Sequence, residues 1–198
     1  MNLYQLVAPA SPDGLAISLS SAKLQCRIVE DDEDDLLLAY IAASQEAVES
    51  VTGRALSSQQ WRLSLDRFPA STRPIEIPRP PLVSIDTFTY LDANGDSQAM
   101  VLDTDYHLDG DAEPALVYPP STGWPTVHST RRPTVILEYT CGHAEARPAP
   151  AWAIQVVRVL VGHCYENREL VTTGTIATKL PHIWELLVNS KVQARYEQ

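Results

Sequence analysis

The sequence predicts an α+β fold: a helical bundle formed by N- and C-terminal helices, with an antiparallel β-rich subdomain inserted between them. Three observations carry this. Apolar residues recur at three- and four-residue intervals before residue 53 and again after residue 150. Between those segments the period changes to two. Prolines crowd the middle of the chain, where strands end and turns begin. The expected divisions are 1–58 for the N-terminal helical part, 59–147 for the inserted β-rich subdomain, and 148–198 for the C-terminal helices and a tail. A chain of 198 residues suits one compact unit with an excursion of this kind.

Ser20 is positioned to cap a short helix ending at Ile28, and the acidic run 30–35 follows it. Leu37, Ile41, Ser44, Val48 and Val51 then trace one face of a helix over 33–52, with Gly53 where a helix end commonly turns left-handed. Carboxylates at the start of that helix meet the positive end of its dipole, a favourable term of about 0.3–1 kcal/mol each near the surface. Calcium binding is the rival reading of the acidic run. Its spacing is not that of an EF-hand loop, and no glycine provides the sharp turn.

From Gln59 the pattern alternates, with Trp61, Leu63 and Leu65 on one side and Arg62, Ser64 and Asp66 on the other, as in a half-buried strand. Further strands are expected at 75–77, 83–91, 99–102, 106–108, 115–118 and 134–140. Asn94-Gly95 signals a hairpin, in which a type I′ turn requires positive φ at both central residues. The middle is thus a small antiparallel sheet or sandwich.

Pro148 and Pro150 suit a helix start, and Ala153, Ile154, Val157, Leu160, Val161, Cys164 and Tyr165 mark a helix over 151–166. It is apolar around most of its circumference, so its surface should be buried in the core or between subunits. The uncharged stretch TTGTIAT at 172–178 reads as a mobile or interface loop. Pro181 opens a last helix that packs through Ile183, Leu186 and Leu187, and a polar tail follows Asn189.

Composition excludes several classes. Hydrophobic residues make up 44% and charged residues 20%, a balance that folds. No apolar run approaches the roughly 20 residues that cross a bilayer, and the first residues lack the form of a signal peptide. A formal net charge of −10 opposes general nucleic-acid binding. Cys26, Cys141 and Cys164 are scattered and form no CxxC pair, which fits reduced, packed thiols.

The search for chemistry finds no GxSxG, HExxH, P-loop or post-strand GxGxxG motif. Cys141 with His143 reads as a strand end and turn. His163 and Cys164 are helix neighbours whose side chains diverge by about 100°, a poor pair for one metal. Asp103, Asp105, His107, Asp109 and Asp111 alternate as a solvated strand face and turn would, the rival being a small metal-binding enzyme. Trp61, Trp124, Trp152 and Trp184 have no basic residues interleaved and read as packing. No catalytic residue, metal or cofactor is expected.

Taken in order, several segments resemble the head-tail connector (adaptor) proteins of tailed bacteriophages and gene transfer agents. They are LSSAKLQCRI, the acidic helix DDEDDLLLAYIAASQEAVESVTGRAL, QQWRLSLDRFP, IPRPPLVSIDTFTYLDANGD, DYHLDGDAEPALVYPPSTGWP, VILEYTCGH, VVRVLVGHCYENREL and LPHIWELL. They run from about residue 19 to residue 188. The resemblance implies a structural subunit of the virion neck, in a twelve-copy ring beneath the portal. Such a ring joins the portal protein to the stopper or tail-tube protein and leaves a channel through which DNA passes without specific binding. It implies assembly in the host bacterial cytoplasm and no membrane. It also makes Lys191, Val192, Arg195 and Tyr196 the candidate portal contacts. The nearest alternative is a stopper or tail-completion protein. An acidic channel lining would let the DNA backbone slide, where a basic one would hold it.

Overall fold

The computed structural model of the chain describes residues 2–10, 14–70, 72–143 and 149–168. They fall into two compact units: Met1–Ala10 with Ser58–Gly142, and Ser11–Ser57 with His143–Gln198. The fold is α+β, with three helices among the described residues and antiparallel sheets.

In the helical unit, α1 (Leu19–Cys26) opens on Ser18, not on Ser20. Ser18 has the extended backbone of a cap, φ −76° and ψ 155°, and its Oγ accepts from the Ser21 N–H at 3.2 Å. Ser20 lies inside the first turn, too late to cap it. The helix also stops two residues before Ile28. Arg27 adopts a left-handed φ of 57°, its N–H reaches the Leu24 carbonyl at 3.3 Å, and the Ile28 N–H reaches the Lys23 carbonyl at 2.9 Å. Those two bonds form the Schellman closure, a place usually taken by glycine. Arg27→Gly should therefore stabilise the unit, by about 0.5 kcal/mol once the greater entropy of unfolded glycine is set against a left-handed strain of about 1–2 kcal/mol. Urea unfolding followed by helical ellipticity measures it, and a loss of stability would refute the strain.

Helix α2 (Asp34–Thr52) ends as expected on Gly53, at φ 65°. Leu37, Ile41, Ser44 and Val48 are buried, but Val51 is 44% exposed, and Gln45, Glu49 and Thr52 take the inner positions. Val51 lies ten residues past Ile41, about 80° off the stripe, whereas Thr52 lies within about 20° of it. Helix α3 (Ala151–Glu166) buries Ala153, Val156, Val157, Leu160 and Val161. These join Ile17, Ala22, Leu37, Ile41, Val48 and Leu56 in one core, so α3 spends most of its apolar surface inside its own unit. Cys164, expected in that core, is only half-buried, as are Gly162, His163 and Tyr165 around it in the last turns. The stretch 172–178, the last helix and the tail lie outside the described residues.

In the sheet unit, eight strands form two antiparallel sheets. They are β1 (Asn2–Ala8), β2 (Gln59–Leu65), β3 (Ile75–Ile77), β4 (Leu82–Leu91), β5 (Ser97–Ala99), β6 (His107–Asp109), β7 (Ala115–Tyr118) and β8 (Val135–Cys141). The larger sheet runs β1-β2-β8-β4-β5 and the smaller β3-β7-β6. At the centre, Trp61 faces Tyr139, Leu63 faces Leu137, and Leu65 faces Val135, all buried. The alternation read from Gln59 onward is the core face of this pair. An aromatic cluster extends it, with Phe68 stacked on Trp124 at 4.8 Å and Phe88 edge-on to Tyr106 at 5.0 Å.

Three strand expectations change. Strand β1 was not anticipated; it pairs antiparallel with β2, more than fifty residues away. The strand placed at 99–102 ends at Ala99, because the Val101 N–H turns to the Asp105 carboxylate (2.8 Å) and the Asp105 N–H returns to the Val101 carbonyl (2.8 Å). The β4–β5 hairpin forms at Asn94-Gly95, but Gly95 alone has positive φ, 92°. Its N–H closes on the Asp92 carbonyl at 2.9 Å, and the Asp92 carboxylate accepts from the Asn94 and Asp96 N–H groups. That is a type I turn followed by a glycine bulge, not type I′.

Candidate functional site

The acidic run before α2 is where local chemistry concentrates. Lys23, projecting from α1, places its Nζ 2.5 Å from Asp31 and 2.6 Å from Asp34. Glu33, the residue before α2, makes no capping bond to its own helix. Its carboxylate is committed to α3 instead, accepting from the Tyr165 hydroxyl at 2.6 Å and from the Arg168 guanidinium at 2.6 Å. That guanidinium also lies over the Tyr165 ring, 4.7 Å from its centre. Asp31, Glu33 and Asp34 thus tie the run to α1 and α3, while Glu30, Asp32 and Asp35 are exposed. The dipole reading holds for Asp34 and Asp35, which lie in the first turn. Among the described residues no three His, Cys, Asp or Glu side chains come together as metal ligands would.

The electrostatics follow from these contacts. Hydrogen bonds from Tyr165 and Arg168 hold the Glu33 carboxyl below its ordinary value of 4.5, and Lys23 holds Asp31 below 3.8. Lys23 is raised by hydrogen bonds to Asp31 and then Asp34, and Tyr165 by its bond to Glu33. A depressed carboxyl stabilises the fold above its unfolded pKa and loses that contribution as pH falls through its folded pKa. The native chain should therefore lose part of its thermal stability between neutral pH and about pH 3 through these carboxyls. Glu33→Gln should lose less over the same range. Melting curves at pH 7 and pH 3.5 for both proteins test this, and parallel losses would contradict it.

Beside this cluster lies an open cleft of about 570 Å³ between the end of α1 and the last turns of α3. Gln25, Cys26, Val159, Gly162, His163 and Glu166 line it. Burial, with the nearby Glu166 carboxylate, raises the Cys26 thiol above its ordinary value, so it is a poor nucleophile at neutral pH. Cys164 is raised by burial alone, and Cys141 is buried in β8.

The alternating acids of the sheet unit form no ligand set. Asp103 lies 3.6 Å from His107 with both side chains exposed, Asp105 accepts from Val101, and Asp109 accepts from the Ala112 N–H at 3.2 Å. These are turn and strand-end bonds, as the solvated reading predicts. Trp61 donates to Gln59 at 3.1 Å beneath the Arg79 guanidinium, and Trp124 donates to the Arg73 carbonyl at 3.1 Å. Both are structural. Trp152 packs partly buried against the helical core. Trp184 and the four candidate portal contacts, Lys191, Val192, Arg195 and Tyr196, lie outside the described residues.

Sequence reasoning missed the buried polar set on α2. Gln45 accepts from the Ala16 N–H at 2.9 Å and donates to Glu49 and Ser57, and Glu49 accepts from the Leu56 N–H at 2.8 Å. The signal available was the placement of Gln45 and Glu49 four and eight residues past Ile41, on its own stripe.

Known proteins were compared with this chain. No curated protein matches the sequence. Solved chains resemble its backbone over nearly its full length. One is in the neck of an empty GTA particle computed with C6 symmetry, at 20% identity and TM-score 0.77, covering 96% of this chain and 94% of that one. Another belongs to the virion of a native gene transfer agent particle, at 21% identity and TM-score 0.75, covering 95% and 94%. A third is in the neck of a native GTA particle computed with C12 symmetry, at 20% identity and TM-score 0.72, covering 96% and 94%. At these identities the likeness is one of fold. In sequence, residues 16–89 match the model of the Phage gp6-like head-tail connector protein family. That stretch takes in α1, α2, β2, β3 and most of β4, so the similarity to that family covers the acidic run and the first half of the sheet unit.

Proposed function

We propose that this chain is a head-tail connector (adaptor) subunit of a virion neck. The observation that carries the reading is the order of its parts. The connector match runs from the first helix into the sheet, and a backbone like those in gene transfer agent necks covers 96% of the chain. In this reading the N- and C-terminal helices build a bundle that packs into a multi-copy ring, twelve copies beneath a portal, with the β-rich subdomain inserted. The ring joins the portal to a stopper or tail tube, and its role is structural. Lys191, Val192, Arg195 and Tyr196 supply basic, apolar and aromatic contacts to the portal. The net charge of −10 suits a channel that DNA crosses without being gripped. Subunits assemble in the host bacterial cytoplasm before joining the particle.

Negative-stain images of purified portal rings mixed with this protein test the proposal. The expected result is an added coaxial ring on one portal face. Portal rings that remain bare across a wide range of protein excess would overturn it. Capture by the tail-tube protein but not by the portal would favour a stopper instead.

A further inference from the structure

Glu33 stands where a residue would normally cap α2, yet its carboxylate leaves that helix end without a side-chain acceptor and crosses to α3. Local propensity is set aside at this position for a contact made across the fold, a pattern that often marks a functional device. Three interactions meet there. Tyr165 and Arg168 each occupy a different oxygen of the carboxylate, and the Arg168 guanidinium covers the Tyr165 ring. Lys23, bound to Asp31 and Asp34, holds the run that carries Glu33 against α1. The other end of α3 is held by the apolar core, but its last turns are only half-buried, and a cleft lined by Gln25, Cys26, His163 and Glu166 lies beside them. At the helix end, the Asn167 N–H and side-chain amide both bond to the His163 carbonyl.

We infer that Glu33, Tyr165 and Arg168 form a charge latch that holds the last turn of α3 to the start of α2, and that opens without unfolding the helical core. Two contacts converge on one carboxylate at the half-buried edge of the core, where Tyr165 packs, and both are lost when that carboxylate is neutralised, or weakened when it is screened. The core residues Ile41, Val157 and Val161 lie inside the unit and do not depend on it. The titratable and charged groups around the latch are Lys23, Asp31, Asp34 and Asp35 from the acidic run and α1, Cys26 and Arg27 from the end of α1, and His163 and Glu166 from α3. Salt concentration is therefore the cleaner lever, since it acts on the ion pair without titrating His163. The reading of the chain as a connector gives the latch its purpose, since it sets the position of Arg168, after which the candidate portal contacts follow in sequence.

Hydrogen exchange on the full chain is the test, comparing wild type, Glu33→Gln, Arg168→Met and the conservative Glu33→Asp. In Glu33→Gln and Arg168→Met, exchange over 163–168 should quicken about tenfold and stay nearly independent of urea, as a local opening does, while exchange across the middle of α2 keeps the steep urea dependence of global unfolding. Wild type in molar salt should move the same way, and Glu33→Asp should fall between. Unchanged exchange at 163–168 would show that the contacts hold nothing. Exchange over 163–168 that shows the same steep urea dependence as the middle of α2 would show that they only support the fold. Either result overturns the latch. Capture by portal rings adds an independent arm: wild type captured and Glu33→Gln captured about tenfold less well is the expected pair. Wild type that is not captured refutes the connector reading and leaves the exchange result to decide the latch.

Discussion

Ile41→Ala is expected to destabilise the helical unit by about 2–5 kcal/mol, the range for truncating a fully buried aliphatic side chain in a close-packed core. Ile41 has no exposed surface and sits at the middle of α2, in the same cluster as Leu37, Val48 and the inner residues of α3. Its neighbours are held by a 19-residue helix on one side and a 16-residue helix on the other, so the site has little freedom to collapse into the space left behind. Urea unfolding followed by helical ellipticity measures the loss, with the transition midpoint falling and the slope preserved. A loss below about 1 kcal/mol would mean that the core is far looser than its burial indicates. Val51→Ala on the same helix is the contrast. Val51 is 44% exposed, and its truncation should cost well under half as much as that of Ile41.

Glu49→Leu is expected to cost about 2–4 kcal/mol, although leucine is the more apolar residue at a buried position. The carboxylate accepts from the Leu56 N–H at 2.8 Å and from the Gln45 amide at 2.9 Å, and all three residues are buried. Leucine strands the Leu56 donor and removes one of Gln45's acceptors. An abandoned buried donor carries a desolvation cost of about 1–3 kcal/mol. Glu49→Gln keeps an acceptor oxygen and should retain more than half of the stability that Glu49→Leu loses. Equal losses in the two variants would place the energy in the charge of Glu49 and not in the bonds it accepts. The same unfolding experiment reads both.

The polar set also shows how a single residue type can serve two purposes on one helix. Glu33 and Glu49 stand at opposite ends of α2. Glu49 turns inward to complete backbone bonds of the turn after the helix, whereas Glu33 turns to a neighbouring helix end. Composition treats them alike, and only their partners distinguish them.

The residues of α2, α3, β2, β3 and β7 were legible because each repeats a local period. A 3.6-residue spacing marks one helix face, and strict alternation marks one sheet face. The hairpin was legible from Asn94-Gly95 in place but not in type, because the same dipeptide serves a bulged type I turn when Asp92 accepts the turn's N–H groups. Strand β1 was hidden for a different reason. Leu3 to Ala8 are exposed, so they show no buried alternation, and the ladder depends on a partner more than fifty residues later. The portal candidates at residues 191–196 rest on the resemblance alone.

What the sequence determined by itself was the α+β class and the places of the principal helices and central strands, since each is written in short-range pattern. Tertiary structure alone decided which acids of the run 30–35 are spent on Lys23, which one reaches α3, and why Gln45 and Glu49 are inside. The physical reason is that hydrogen bonds and ion pairs are short-ranged. Their partners are chosen only once distant segments have been brought within about 3 Å of each other.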